Sequence, residues 1–302
     1  MEDVIARALS ALVPGGVTRG ATARGDRELR WIEAGTGAPT VVLDAASGTA
    51  GLTWAPVLPA LAAHTRVVAY DRAGLGASDP APALTLASQL DDLTALLDET
   101  GGGPCVLVGN SWGGLLAQLA AWSRPDLVAG LVLVDPAHEQ FRPWLISAVE
   151  GLLNRLFAGR RALGLADRSL REQAVAQARA ITDDPAVQAL LVDAELACWA
   201  QRHQIRTGLA EGRMIAAQIP EFRRMRARSR FADIPVVVLS ATTGIPAGMR
   251  ARWTAWQAGI AAAAHRGEHV QVPDAGHYIH QSRPEVVVEA ILGVVAQSRR
   301  AG

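Results

Sequence analysis

A serine and a histidine in this chain have the setting of a nucleophile and its base. Ser111 lies in "VGNSWGG" (108–114), with Gly109 two residues before it and Gly113 two residues after. The preceding run "PCVLVG" reads as a buried strand, and the following "LLAQLAAW" reads as a helix. Gly-x-Ser-x-Gly at a strand-to-helix junction has a mechanical reason. The turn is so sharp that the serine takes a strained backbone conformation. Its neighbours two positions away crowd the strand and the helix and must be small. The strain lifts the hydroxyl above the carboxyl edge of the sheet. The N–H of Trp112 then lies at a helix N-terminus, aimed at a developing oxyanion.

Among seven histidines, His277 in "VPDAGHYIH" falls between the last strand and the last helix. In a doubly wound sheet that loop opens on the same edge as Ser111. His280 is its competitor for the role of base. A zinc site built from His265, His269, His277 and His280 is disfavoured. A strand separates these residues, and the chain has no HExxH and no cysteine ligand set.

These residues need a scaffold. A half-exposed alternating strand at 28–34 and apolar runs at 40–45, 66–71, 105–109 and 130–135 alternate with helical patterns at 54–63, 86–99 and 112–122. Near-continuous Val/Leu strands between helices predict a mostly parallel sheet of about eight strands, covered on both faces. The rhythm stops after Ala137 and resumes with strands at 235–240 and 268–273 and helices at 248–264 and 283–297. The organisation is therefore core (1–136 and 231–302) around a helical insert (137–230). At the N-terminus, Val4, Ile5, Ala8, Leu9 and Leu12 share one face of a short helix that packs on the domain.

Composition excludes several classes of function. The 29 basic residues balance 29 acidic ones, so nothing global attracts nucleic acid or an anionic membrane. Every basic residue is arginine; with no lysine, a Schiff base to lysine and a Walker-type phosphate loop are ruled out. No apolar run reaches the roughly 18 residues of a membrane-spanning helix. The acidic N-terminus does not suit a signal peptide. Two cysteines, Cys105 and Cys198, fit a reducing cytoplasm better than a disulfide framework.

The chain resembles the α/β-hydrolase superfamily from about residue 25 to 298. "VVLDAASG", "YDRAGLGASD", "VGNSWGG" and "DAGHYIHQSRPEVV" carry the likeness, in the family's order. The resemblance implies an α/β-hydrolase fold with 137–230 as a cap, and a Ser–His–acid triad with no metal or organic cofactor. Two departures stand out. The family usually places its acid after the seventh strand, where this chain reads "VVVLSATTGIPAG" without Asp or Glu. The family's other placement, the end of the sixth strand, corresponds to Asp135, with Glu139 as second candidate. Asp274, three residues before His277, is expected to shape its loop. Where relatives often carry His-Gly after the third strand, this chain has "LDAASG", and by position the second oxyanion donor corresponds to the N–H of Ala46.

The reading that follows is a serine hydrolase acting on a small-molecule ester, lactone or thioester with a sizeable apolar part. Trp54 and Trp112 are the better candidates to line its pocket, with Trp144 and Trp199 also nominated; Phe141, Leu145 and Met225 read more readily as packing of the insert. The insert is locally basic, with 15 arginines against 11 acids over 137–233 and five arginines in "RRMRARSR". These read either as a solvated face or as recognition of an acidic group. Two rivals remain. "GNSWGG" is similar to the "GNSMGG" of the family's carbon–carbon bond hydrolases, and lyases and cyclases share the fold. A non-catalytic binding protein is the other. Epoxide hydrolases and haloalkane dehalogenases of the fold need an aspartate where Ser111 stands.

Overall fold

In a computed structural model, residues 1–100, 102–140, 156, 159–160 and 166–300 are described. An eight-stranded sheet runs through the middle: β1 (Thr18–Arg24), β2 (Arg27–Ala34), β3 (Val41–Asp44), β4 (Val67–Tyr70), β5 (Cys105–Asn110), β6 (Val128–Val134), β7 (Pro235–Ala241) and β8 (Arg266–Val272). Its order is β1-β2-β4-β3-β5-β6-β7-β8. β1 and β2 pair antiparallel, as do β2 and β4; every other pairing is parallel. This is the α/β-hydrolase fold. Strands β3, β4, β5 and β7 are buried at every residue, which is why they read as unbroken apolar runs.

β1 was missing from the sequence expectation. It is an edge strand, "TRGATAR", largely exposed and without an apolar stripe. Its signal is the two-residue loop Gly25–Asp26, which closes the hairpin between Arg24 and Arg27 with Gly25 at φ 70°.

The described helices are α1 (Glu2–Leu12), α2 (Leu58–Ala62), α3 (Leu86–Thr100), α4 (Trp112–Ser123), α5 (Asp167–Ile181), α6 (Pro185–Ala200), α7 (Arg202–Arg228), α8 (Ala247–Ala262), α9 (Ile279–Ser282) and α10 (Pro284–Arg299). Between β6 and β7 all the described elements are helical. α1 buries Ile5, Ala6, Ala8 and Leu9, as its apolar stripe requires, and packs on α6 of the insert. No helix among the described residues is long and apolar enough to cross a membrane.

Strand register positions the site. Asp44 pairs with Gly109, Asn110 with Val134, and Val134 with Leu239. The carboxyl ends of β3, β5, β6 and β7 are thus level. The loop after Asp44, the turn at Ser111 and the turn at Asp135 all leave the sheet along one edge.

Candidate active site

Ser111 has φ 52° and ψ −110°, between the end of β5 and the start of α4. A serine there is strained by about 1–3 kcal/mol and is held only because its surroundings dictate it. The Ser111 N–H donates to the Val134 carbonyl (3.1 Å), and its carbonyl accepts from the N–H of Ala137 (2.9 Å). The flanking glycines are required by contact. A Cβ on Gly109 would lie 2.4 Å from the Gly113 carbonyl carbon, and one on Gly113 would lie 2.5 Å from the Asp44 carbonyl oxygen.

His277 Nδ1 lies 2.6 Å from Oδ2 of Asp135. Asp135, at the end of β6, has φ 44° and is buried. Its other oxygen, Oδ1, accepts from Trp253 Nε1 (2.8 Å), Gln257 Nε2 (3.0 Å) and the Ala241 N–H (3.2 Å). Burial alone would push this carboxyl up. The hydrogen bond and charge of His277, with the Trp253 and Gln257 donors, outweigh burial and hold it below the usual range. An ionised Asp135 accepts only, so Nδ1 of His277 carries the proton and Nε2 is left as the free acceptor. Asn110 steadies the histidine's backbone: its amide donates to the carbonyls of Val134 (2.8 Å) and His277 (3.0 Å).

The rival residues are engaged elsewhere. Glu139 pairs with Arg226, at 2.7 and 3.0 Å, and lies beside His138. His280 is fully buried, stacks on Trp54 at 4.2 Å and meets Thr53 Oγ1 at 3.1 Å. Burial pushes its imidazole down to about 3, with the charge of His277 adding to the shift. Asp274 sits in an exposed turn at φ 58°.

Ser111, Asp135 and His277 line one cavity of about 680 Å³, beneath α7 of the insert. Trp112 and Trp199 also line it. Trp54 does not: it is fully buried against His280, so the expectation that it lines the pocket is corrected. Its place just after the loop brings it near in sequence, but the short helical turn Gly51–Trp54 turns the ring into the core. Trp144, Phe141 and Leu145 lie outside the described residues. Met225 packs, half-buried, on the core beneath α7. In the arginine run, Arg226 is a strut: besides Glu139 it bonds Gln118 and lies over the ring of Trp122.

A second network was not anticipated. Arg72, buried just past β4, ion-pairs with Asp44 at the end of β3 and with Glu211 of α7. It also donates to the carbonyls of Ala45 (2.7 Å) and Ala46 (2.8 Å). Glu211 in turn accepts from the Gly48 N–H (2.7 Å), Ser47 Oγ (3.0 Å) and Gln89 Nε2 (2.7 Å). Gln89 accepts from Trp112 Nε1 (2.9 Å). One chain of contacts thus joins the insert, the loop after β3 and the residue following Ser111. Ala46 itself is buried, and Ser47, Gly48 and Thr49 face the cavity. The sequence signal was Asp71–Arg72 in the loop that carried the family likeness; the partner 139 residues away on α7 gave none.

The model of the alpha/beta hydrolase family matches residues 35–290, and the chain belongs to that family of enzymes. Over 272 residues it is 28% identical to BpoC of Mycobacterium tuberculosis, a proposed non-heme bromoperoxidase, covering 87% of this chain and 96% of BpoC. Lipase LipV of the same organism is 48% identical over 71 residues, a stretch that covers 24% of this chain and 27% of LipV. Among solved structures, Cfl2 of Burkholderia cenocepacia superposes with a TM-score of 0.73 at 22% identity, covering 93% of this chain and 96% of that one. The serine hydrolase CarC, involved in carbazole degradation, gives 0.65 at 20% identity, covering 93% and 100%. At these identities the structures attest to the fold alone.

Proposed function

We propose that this α/β-hydrolase is a serine hydrolase that cleaves an ester, lactone or thioester of a small molecule with a sizeable apolar part. The observation that carries this reading is the 2.6 Å contact between His277 and Asp135 on the cavity that holds the strained Ser111. Ser111 Oγ attacks the acyl carbon while Nε2 of His277 takes its proton. Asp135 holds the tautomer and stabilises the imidazolium. The N–H groups of Trp112 and Ala46 receive the oxyanion. His277 returns the proton to the leaving oxygen or sulfur. Water, with His277 again as base, then releases the acid and restores Ser111. Residues 137–230 act as the lid, and the cavity beneath it is large enough for a substrate of drug-like size.

Asn110 bears on the carbon–carbon rival. In "GNSWGG" its amide is spent on two backbone carbonyls, which gives the asparagine a supporting role whatever bond is cleaved. Retention of Ser111, His277 and Asp135 on one cavity disfavours a mere binding protein.

The test is a fluorophosphonate probe and a panel of p-nitrophenyl esters, applied to the protein and to Ser111→Ala, His277→Ala and Asp135→Asn. Labelling at Ser111 with ester turnover, lost by orders of magnitude in all three variants, is the expected result. Labelling without turnover of any ester would move the reading to carbon–carbon or lyase chemistry. No labelling at all would leave the binding-protein reading in front.

A further inference from the structure

Next to the catalytic cavity lies a second chamber of about 230 Å³, enclosed by α5, α6 and the loop after β3. Four residues line both spaces: Thr49, Trp199, Gln204 and Tyr278. The chamber has room for roughly seven groups the size of a water molecule, at about 30 Å³ each. Its wall is mostly apolar and amide in character, and among the described residues it contains no Arg or His. Among the described residues its one carboxyl group is that of Glu195 on α6.

That carboxyl is under-used. Trp199 Nε1 donates to Glu195 Oε1 at 2.7 Å, and Oε2 has no partner among the described residues. Burial raises the carboxyl above its ordinary range, with only Trp199 opposing. Glu195 is half-buried and lines the chamber with an oxygen unpaired among the described residues, and an acid set in a mostly apolar wall favours a ligand that brings a positive charge. Two aromatic rings, Trp199 and Tyr278, line the same wall. A carboxylate flanked by aromatic faces in an otherwise apolar space matches an ammonium group on a short alkyl arm.

We infer that this chamber is a subsite for a cationic amine, and that the substrate reaches it from Ser111 past Trp199 and Tyr278, with Glu195 as counter-ion. The substrate class is thereby narrowed to amino-substituted acyl or alkoxy compounds, and this part of the inference rests on the hydrolase reading above. The arginine-rich stretch at 223–230 reads as a solvated face or as recognition of an acidic group. The chamber, whose described lining has one acid and no Arg or His, fits a cationic group instead.

Calorimetric titration with hexylammonium chloride and with hexan-1-ol, ligands of matched size, tests the chamber without any turnover. The protein should bind the ammonium at least about tenfold more tightly than the alcohol. In Glu195→Gln that preference should vanish, with the thermal midpoint held within a few degrees; Glu195→Asp, which keeps the charge, should retain part of it. Equal binding of the two ligands by the unaltered protein, no binding of either, or an undiminished preference in Glu195→Gln would each overturn the inference. The catalytic side is read separately from kcat/KM for p-nitrophenyl 6-aminohexanoate against p-nitrophenyl heptanoate. Ammonium binding without turnover of any ester would remove the hydrolase reading and leave the chamber. Turnover with no ammonium preference would remove the chamber and leave the hydrolase.

Discussion

The two sides of the catalytic cavity are secured by different means. On one side His277 rests on Asp135, and Asp135 is satisfied by neutral donors: an indole, an amide and a backbone N–H, all from β7 and α8 of the core. On the other side the loop after β3 is secured by a buried ion cluster, Asp44–Arg72–Glu211, one member of which belongs to the insert. Burial works against the charges of Asp44 and Arg72. It raises the Asp44 carboxyl despite Arg72, and the two carboxylates hold the Arg72 guanidinium more firmly protonated than usual despite its burial. A buried ion cluster is strong only while complete. The proposed base, His277, is therefore secured by the core, whereas the loop proposed to bind the oxyanion depends on where α7 sits. A change in the rest of the insert would leave the His277–Asp135 contact intact, but α7 cannot move without moving that loop.

The comparison can be broken most severely at Asp135. Asp135→Asn should lower kcat by about 10³–10⁴-fold, because an amide facing His277 favours the wrong tautomer. The same variant should lose the downfield proton resonance of the His277–Asp135 hydrogen bond, while far-UV circular dichroism stays unchanged. A loss of less than tenfold would mean that another acid serves His277.

Glu211→Gln should cut the other side. Removing one carboxylate from Arg72 should cost about 3 kcal/mol of stability in urea unfolding. Ester turnover should fall about ten- to a hundredfold through the misplaced loop. The downfield His277 proton should persist, since nothing on its side has changed. If that proton disappears as well, the two sides are coupled and the division proposed here is wrong.

A smaller effect concerns pH. His280 is fully buried and neutral, with its imidazole pushed down to about 3. As pH falls from 7 to 5 the unfolded chain protonates this histidine and the native protein does not. Native stability should therefore drop by about 2 kcal/mol from this residue. Asp71, pushed up to about 6 by burial, works with the opposite sign over part of the same window, because the native protein takes up that proton first. Urea unfolding at pH 7 and pH 5 should show a shallower pH dependence for His280→Gln than for the unaltered protein; equal slopes would show that His280 does not contribute.

The smallest change expected is at Asn110. Asn110→Ala removes two donors to the carbonyls of Val134 and His277 and should cost about 1 kcal/mol or somewhat more of stability. If Asn110 serves only as this support, relative activity on esters and on carbon–carbon substrates should fall in parallel. A selective loss on carbon–carbon substrates would give the asparagine a chemical role.

Much of the fold and part of the site were legible in the linear chain. Buried strands must be apolar, so β3 to β7 showed as Val/Leu-rich runs, and their alternation with helices implied parallel pairing; β2 and β8 showed as more polar strand patterns. Ser111 was legible because its turn demands glycine at 109 and 113: the first is crowded by the Gly113 backbone nearby, the second by the Asp44 backbone on the neighbouring strand, and both leave a short motif in the chain. His277 was legible from its place between the last strand and the last helix. β1 was not, because an exposed edge strand needs no apolar pattern, and only its Gly–Asp loop betrayed it.

The remainder depended on distance in space. Of the two candidate acids, it is the tertiary structure that sets Asp135 against His277, Trp253 and Gln257 and Glu139 against Arg226. Sequence position favoured Trp54 and Trp112 over Trp199 for the pocket, yet packing turned Trp54 into the core and left Trp112 and Trp199 on the cavity. The bond between Arg72 and Glu211 and the free oxygen of Glu195 have no linear signature at all. The physical reason is the range of the constraint. Burial and tight turns act on each residue and its near neighbours, and so leave a pattern in the chain. A hydrogen bond across 139 residues fixes only where two side chains meet, and that is settled when the insert docks on the core.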